Sequence, residues 1–146
     1  MDADVIVVGA GPTGLMLAVE LRLAGVRTLV LERHPQFRDT PKAGGLFGQI
    51  LELLRYRGLL DRFEAASTGP IPALRVPFGG VHVDFTHLPD PAMSLLLLPQ
   101  PQLERLLAEL AGELGADVRR RQEVVGLSQD DNLVSVDVSG PGDGIG

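Results

Sequence analysis

The chain has 146 residues, of which 45% are hydrophobic and 22% charged, a composition typical of a soluble globular domain with a real core. Its formal net charge of −6 argues against a nucleic-acid-binding surface, and the three consecutive arginines at 119–121 are too short a run to reverse that. The chain contains no cysteine, which excludes a disulfide framework and a thiolate zinc site and is consistent with a reducing cytoplasm.

A strand, a glycine-rich turn, a helix and a second strand are predicted at the start of the chain. The β-branched run DVIVV at 4–8 is typical of a strand buried on both faces of a parallel sheet. The segment PTGLMLAVELRLA at 12–24 predicts a helix that begins with proline and ends at Gly25. The return strand is expected at 28–31, which gives the first half of a βαβ unit.

The turn between the first strand and the helix carries the fingerprint Gly9-Ala10-Gly11-Pro12-Thr13-Gly14. In this pattern the first glycine permits the tight bend, the second lets the backbone approach a pyrophosphate, and the third lets helix and strand pack closely. The helix N-terminus adds unpaired N–H groups and partial positive charge. The fingerprint predicts a dinucleotide site, and it fits NAD and FAD equally well.

Two charged residues end the second strand. Glu32 lies 23 positions after Gly9, where a carboxylate can accept hydrogen bonds from an adenosine ribose and would oppose a 2′-phosphate. Arg33 could lie over an adenine ring or face water, and the sequence favours neither alternative.

The rest of the chain switches between helical and antiparallel patterns. Apolar residues from Leu46 to Leu54 recur at helical spacing, and a short helix is expected at 59–66. The segment 73–85 predicts a hairpin turning at Gly79-Gly80. A strand at 94–98, a helix at 103–114 and strands over 116–120, 122–129 and 133–139 follow. We therefore expect a dinucleotide-binding segment at 1–70, the start of an antiparallel substrate lobe at 71–98, and an incomplete return to the first domain at 99–146.

The histidines and aspartates elsewhere in the chain are interpreted as structural residues. His82 and Asp84 share one face of a strand while His87 points to the other, so no metal site is expected. Asp130 and Asp131 fall in a turn, where an aspartate bonds its own backbone. Neither a signal peptide nor the roughly 20 apolar residues of a membrane span is present. We predict a cytoplasmic location without a membrane partner.

Five segments, taken in chain order, resemble the N-terminal part of the class A flavoprotein monooxygenases. They are DVIVVGAGPTGLMLAVELRLAGVRTLVLER, KAGGL, LELLRYRGLL, LLLPQPQLERLLAEL and QEVVGLSQDDNLVSVDV. Within that family the chain is most similar to the aromatic hydroxylases that tailor polyketide antibiotics, relatives of para-hydroxybenzoate hydroxylase. The resemblance implies an α/β, Rossmann-like FAD-binding fold of the glutathione reductase type, with an inserted antiparallel layer.

The resemblance also implies the cofactor and its ligands. FAD would bind in the glycine turn, with its pyrophosphate beside the glycines and its ribose at Glu32. A cationic residue followed by small residues lies beside the FAD diphosphate and the flavin in the family, and here that matches Lys42. A family glutamine ahead of the later helix matches Gln100, since Gln102 falls too close to that helix. The implied cofactor-binding residues are Gly9, Gly11, Pro12, Thr13, Gly14, Glu32, Arg33, Lys42, Ala43, Gly44 and Gln100.

The implied activity is hydroxylation of an aromatic or polyketide-type substrate with molecular oxygen, through a flavin C4a-hydroperoxide and with NADPH or NADH as transient reductant. The family's second half has no counterpart here, so the chain is expected to be truncated at its C-terminus and to be inactive without the missing portion. Two alternatives stay open: the nucleotide-binding domain of an NAD-dependent dehydrogenase, and a non-catalytic FAD-binding or complementation fragment. The resemblance does not identify the substrate or the catalytic residues.

Overall fold

The computed structural model describes residues 3–37, 39–40, 42–89 and 93–141. In chain order the elements are β1 (Val5–Val8), α1 (Pro12–Leu23), β2 (Thr28–Glu32), β3 (Gly45–Phe47), α2 (Gln49–Tyr56), α3 (Leu60–Ala65), β4 (Pro70–Pro72), β5 (Arg75–Phe78), β6 (Val81–Asp84), β7 (Ser94–Leu97), α4 (Gln100–Glu113), β8 (Asp117–Arg120), β9 (Glu123–Gln129) and β10 (Val134–Ser139).

The chain divides into two compact units. The first combines Met1–Asp39 with Leu103–Gly146, and the second is Thr40–Gln102. This division reflects packing. The functional assignment of 1–70, 71–98 and 99–146 stays a prediction.

A parallel sheet of order β1-β2-β8 forms the centre of the first unit. Four of the five residues of β2 are buried, which explains why its central residues Leu29–Leu31 are continuously apolar rather than alternating. Buried side chains of α1 and α4 supply further core of this unit, and the Arg22 guanidinium donates to the Leu114 carbonyl oxygen at 2.9 Å. The predicted βαβ unit is confirmed.

β9 and β10 form a separate antiparallel pair in the first unit. The turn between them is held by Asp130, whose carboxylate accepts from the backbone N–H groups of Asn132 and Leu133 at 2.7 and 2.9 Å. This confirms the predicted turn-forming role of Asp130.

The strands of the second unit pair in antiparallel fashion. β7 lies between β3 and β4, and β5 pairs with β6 in a hairpin that turns at Gly79 and Gly80, both with positive φ. Its core includes Leu54, Phe63 and Leu96, each no more than 1% exposed. The predicted antiparallel layer is thus present in this unit.

Three details differ from the sequence prediction. Leu46, assigned by spacing to a helix, lies in β3, because that segment pairs with β7. β4 was not predicted, since two of its three residues are prolines. The helix expected at 103–114 begins at Gln100, because Pro101 falls in the first turn, where a missing N–H costs nothing.

Candidate cofactor-binding site

The glycine turn follows directly from β1. Gly9 has a φ of +104°, a conformation that residues with a Cβ rarely adopt, and its N–H donates to the Leu31 carbonyl oxygen at 2.7 Å. The turn is therefore tied to the end of β2, as the role of the first glycine requires.

Gly11 and Gly14 differ in what surrounds them. A Cβ on Gly11 would meet no atom within 4 Å, so the backbone there borders open space. A Cβ on Gly14 would overlap the Gly9 carbonyl oxygen and lie 3.3 Å from Val7 Cγ1. The second glycine thus leaves room for a ligand, and the third allows the helix to pack on the strand.

The N-terminus of α1 suits an anion. Gly11 is the N-cap and Pro12 is the first helical residue, with no side-chain cap and no acidic residue in the first turn. Thr13 is exposed beside them. The first-turn N–H groups have no partner within the helix, and the helix dipole favours negative charge. These residues fit the pyrophosphate of a dinucleotide.

Glu32 is held by the backbone on both of its carboxylate oxygens. Ala10 N–H donates to Oε2 and His34 N–H donates to Oε1, each at 2.8 Å. Partial burial alone would raise the pKa of Glu32, but these bonds, with the nearby charges of His34 and Arg120, lower it below its ordinary value. Sequence reasoning missed this second role of Glu32, which is to fasten the glycine turn to β2. The carboxylate still has lone pairs for a ribose hydroxyl.

Arg33 extends into solvent. Its side chain is 61% exposed, and its Nη1 lies 3.8 Å from the Glu123 carboxylate. The structure thus places the Arg33 guanidinium at the surface, in a loose ion pair with Glu123.

The remaining predicted ligands lie in the second unit. Lys42, Ala43 and Gly44 form an exposed segment before β3, and a Cβ on Gly44 would meet no atom within 4 Å. The Gln100 N–H donates to the Ala43 carbonyl oxygen at 3.0 Å. The structure thus joins Gln100 to the small-residue loop, although Gln100 is the first residue of α4 rather than a residue ahead of it.

A cationic and aromatic cluster in the first unit was not predicted. The Arg120 guanidinium lies 3.9 Å from the centre of the Phe37 ring, and that of Arg105 lies 5.8 Å away. Arg105 also lies 3.5 Å from the Asp39 carboxylate. With Pro35 and Gln36 these residues line a pocket of about 390 Å³. In the sequence, the arginine run at 119–121 is notable only as too short for a nucleic-acid-binding surface, and no local pattern pairs Arg120 with Phe37.

Asp84 of the antiparallel hairpin has structural partners. The Asp84 carboxylate accepts from Arg75 Nε at 3.0 Å and from the Thr86 N–H at 2.9 Å. Within the described ranges, no group of three His, Asp or Glu side chains could hold a metal ion. In the same ranges, no helix has the length and apolar character needed to cross a bilayer.

A comparison with protein families identifies the domain that this geometry builds. The model described as "FAD binding domain" matches residues 2–145. The chain belongs to the FAD binding domain family. The expected cofactor, FAD rather than NAD, is therefore confirmed at the level of the family.

Relatives of this FAD binding domain include two curated oxygenases. The chain is 46% identical over 144 residues to 12-dehydrotetracycline 5-monooxygenase/anhydrotetracycline 6-monooxygenase of Streptomyces rimosus subsp. rimosus, which covers 97% of the chain and 28% of that protein. It is 47% identical over 137 residues to rifampicin monooxygenase of Streptomyces venezuelae, which covers 93% of the chain and 28% of that protein.

A solved structure gives the same result for the fold. The OxyS anhydrotetracycline hydroxylase from Streptomyces rimosus superimposes with a TM-score of 0.84 at 44% identity, covering 97% of the chain and 29% of the hydroxylase. The predicted α/β FAD-binding fold and the resemblance to the flavoprotein monooxygenases are confirmed. The FAD binding domain described here spans less than a third of the length of these relatives.

Proposed function

We propose that this chain is the FAD-binding portion of an NAD(P)H-dependent monooxygenase that hydroxylates an aromatic or polyketide-type substrate. The observation that carries the proposal is the contrast between Gly11 and Gly14, with open space beside one and close packing at the other. The similarity to the tetracycline and rifampicin monooxygenases supports the reaction type and the substrate class.

In this proposal the residues of the first unit bind the adenosine diphosphate half of FAD. Gly9, Gly11 and Gly14 shape the backbone around the pyrophosphate, and the N-terminal turn of α1, with Pro12 and Thr13, faces its charge. Glu32 accepts a hydrogen bond from the ribose, and Arg33 borders the adenosine.

The residues of the second unit act toward the diphosphate and the flavin. Lys42 offers a positive charge in an exposed loop, Ala43 and Gly44 leave the backbone accessible, and Gln100 is fixed to that loop through the Ala43 carbonyl oxygen. When bound, FAD supplies the redox chemistry by which reduced flavin activates molecular oxygen. The protein orients the groups and excludes water.

We further propose that the 146 residues alone do not hydroxylate a substrate. The side chains of β4 and β6 are all exposed, so these strands do not enclose a dry cavity, and exclusion of water suppresses wasteful release of peroxide. The remaining length found in the relatives would complete the enclosure.

The chain contains no cysteine, which is compatible with a reducing compartment, and we propose a cytoplasmic location.

The test begins with the nucleotide. The purified protein is saturated with a mixture of FAD, FMN and NAD, washed, denatured and analysed by chromatography. Release of FAD agrees with the proposal, and release of NAD without a flavin contradicts it. The protein is then supplied with FAD, NADPH and phenolic polyketides. NADPH oxidation that yields only peroxide, or no reaction, is expected of the 146 residues, whereas coupled hydroxylation would contradict the need for further chain.

A further inference from the structure

Arg120 lies next to the proposed ribose site. It is the last residue of β8 and stands in register with Glu32, the last residue of β2. Ligands of parallel α/β sheets bind outside the carboxyl ends of the strands. The chain then turns at Arg121, and the Gln122 N–H donates to the Glu32 carbonyl oxygen at 3.0 Å. Arg120 is therefore fixed at the edge of the sheet where the nucleotide is expected.

The Arg120 guanidinium has an unused donor. Among the described residues, its Nη2 is buried and has no hydrogen-bond partner. The centre of the Phe37 ring lies 3.9 Å from the guanidinium carbon, so the ring covers one face of the group and accepts no in-plane hydrogen bond from its N–H groups. A buried donor without an acceptor is destabilising, and an arrangement of this kind calls for an explanation.

Two acidic groups near Arg120, Asp39 and Glu32, have other partners. The Asp39 carboxylate lies beside Arg105, and both Glu32 carboxylate oxygens accept from backbone N–H groups. Glu32 and Arg120 attract each other as charges without a hydrogen bond to Nη2. A bound ligand can supply the missing acceptor.

We propose that Arg120 is a further cofactor-binding residue, whose Nη2 donates a hydrogen bond to an oxygen or nitrogen acceptor in the adenosine diphosphate half of FAD. Phe37 acts as a positioning residue that holds the guanidinium in place by stacking. This inference rests on the proposed function, because it requires that FAD occupies the site beside Glu32.

The experiment measures binding rather than turnover. Dissociation constants for FAD and for ADP are determined by calorimetry with the purified wild-type protein and with Arg120→Met, Arg120→Lys and Arg119→Met. Methionine keeps an unbranched apolar stem against Phe37 and removes every donor, and lysine keeps the charge but lacks the planar fork. Arg119 is a matched control, because it is the neighbouring residue on β8 and pairs with Asp117 at 2.8 Å.

The expected result is a rise of about 10-fold or more in the Kd of both FAD and ADP for Arg120→Met and Arg120→Lys, with Arg119→Met close to wild type. Thermal unfolding of the ligand-free variants shows whether they fold. If Arg120→Met does not fold, the Kd values of Arg120→Lys for FAD and ADP decide whether Arg120 binds the cofactor.

Two results would overturn the inference while leaving the proposed function intact. One is wild-type FAD affinity in a folded Arg120 variant. The other is weaker FAD binding with unchanged ADP binding, which would place Arg120 away from the adenosine diphosphate half. Failure of the wild-type protein to bind FAD would instead contradict the proposed function, and the inference with it.

Discussion

The glycine turn of the first unit and the β5–β6 hairpin of the second unit differ in what holds them. In the first unit Gly14 packs against Gly9 and Val7, and Glu32 fastens the turn through Ala10. In the hairpin only one of the eight strand residues, Val76, is even half-buried. Substitutions in the turn should therefore change binding or folding strongly, and substitutions in the hairpin should leave the folded chain nearly unchanged.

The largest effect is expected for Gly11→Val. The φ of −79° and ψ of −179° suit any residue and the Cβ position is open, so the domain should fold normally. The valine side chain would fill the space proposed for the pyrophosphate, and the Kd of FAD should rise about 1,000-fold, or about 4 kcal/mol. Calorimetric titration with FAD measures this Kd.

The control for this variant is Gly112→Ala, at an exposed helical glycine where a Cβ also meets no atom within 4 Å. It should bind FAD like the wild type. Equal FAD affinity in Gly11→Val and Gly112→Ala would contradict the placement of the pyrophosphate.

Gly14→Ala should act on folding instead. Its methyl group would overlap the Gly9 carbonyl oxygen, so helix and strand must separate. We expect a loss of about 3 kcal/mol in the free energy of unfolding, measured by urea denaturation. A Gly14→Ala protein as stable as the wild type would show that close helix–strand packing does not fix this residue.

Distance along the chain explains which parts of the fold the sequence predicts. The glycine fingerprint and the Asp130 turn are patterns of residues near each other in the chain, and both were predicted. β3 and β4 depend on pairing with β7, which lies far along the chain, and local spacing assigned Leu46 to a helix instead. The partnership of Arg120 with Phe37 is missed for the same reason, because only the folded chain brings the end of β8 to the loop after β2.

A smaller effect is expected for Glu32→Gln. The glutamine amide puts an N–H₂ group opposite one of two backbone N–H donors and removes the charge that strengthens both bonds. The free energy of FAD binding should weaken by about 2 kcal/mol, and calorimetry at neutral pH measures it. A Kd equal to that of the wild type would show that Glu32 only fastens the turn.

The pH dependence of folding tests the second role of Glu32. Its pKa is lowered below its ordinary value in the folded protein, so the carboxylate stabilises the fold above the unfolded-state pKa, and this contribution is lost as the pH falls through the folded-state pKa. Urea denaturation from neutral to acidic pH should therefore show a steeper loss of stability in the wild type than in Glu32→Gln. Parallel curves would mean that the carboxylate does not hold the turn.

The smallest effect is expected for Phe78→Ser in the hairpin. Phe78 is 74% exposed, so its removal takes away little buried apolar surface, and the β5–β6 pairing with Val81 is made by backbone groups that serine retains. The free energy of unfolding should change by less than about 0.5 kcal/mol, whereas Leu96→Ala, at a residue with 0% exposure in the same unit, should cost about 2–5 kcal/mol. Urea denaturation of the two variants side by side makes the measurement. If Phe78→Ser destabilised the protein as much as Leu96→Ala, the exposed face of the hairpin would have to be buried in solution, and the contrast between the two regions would fail.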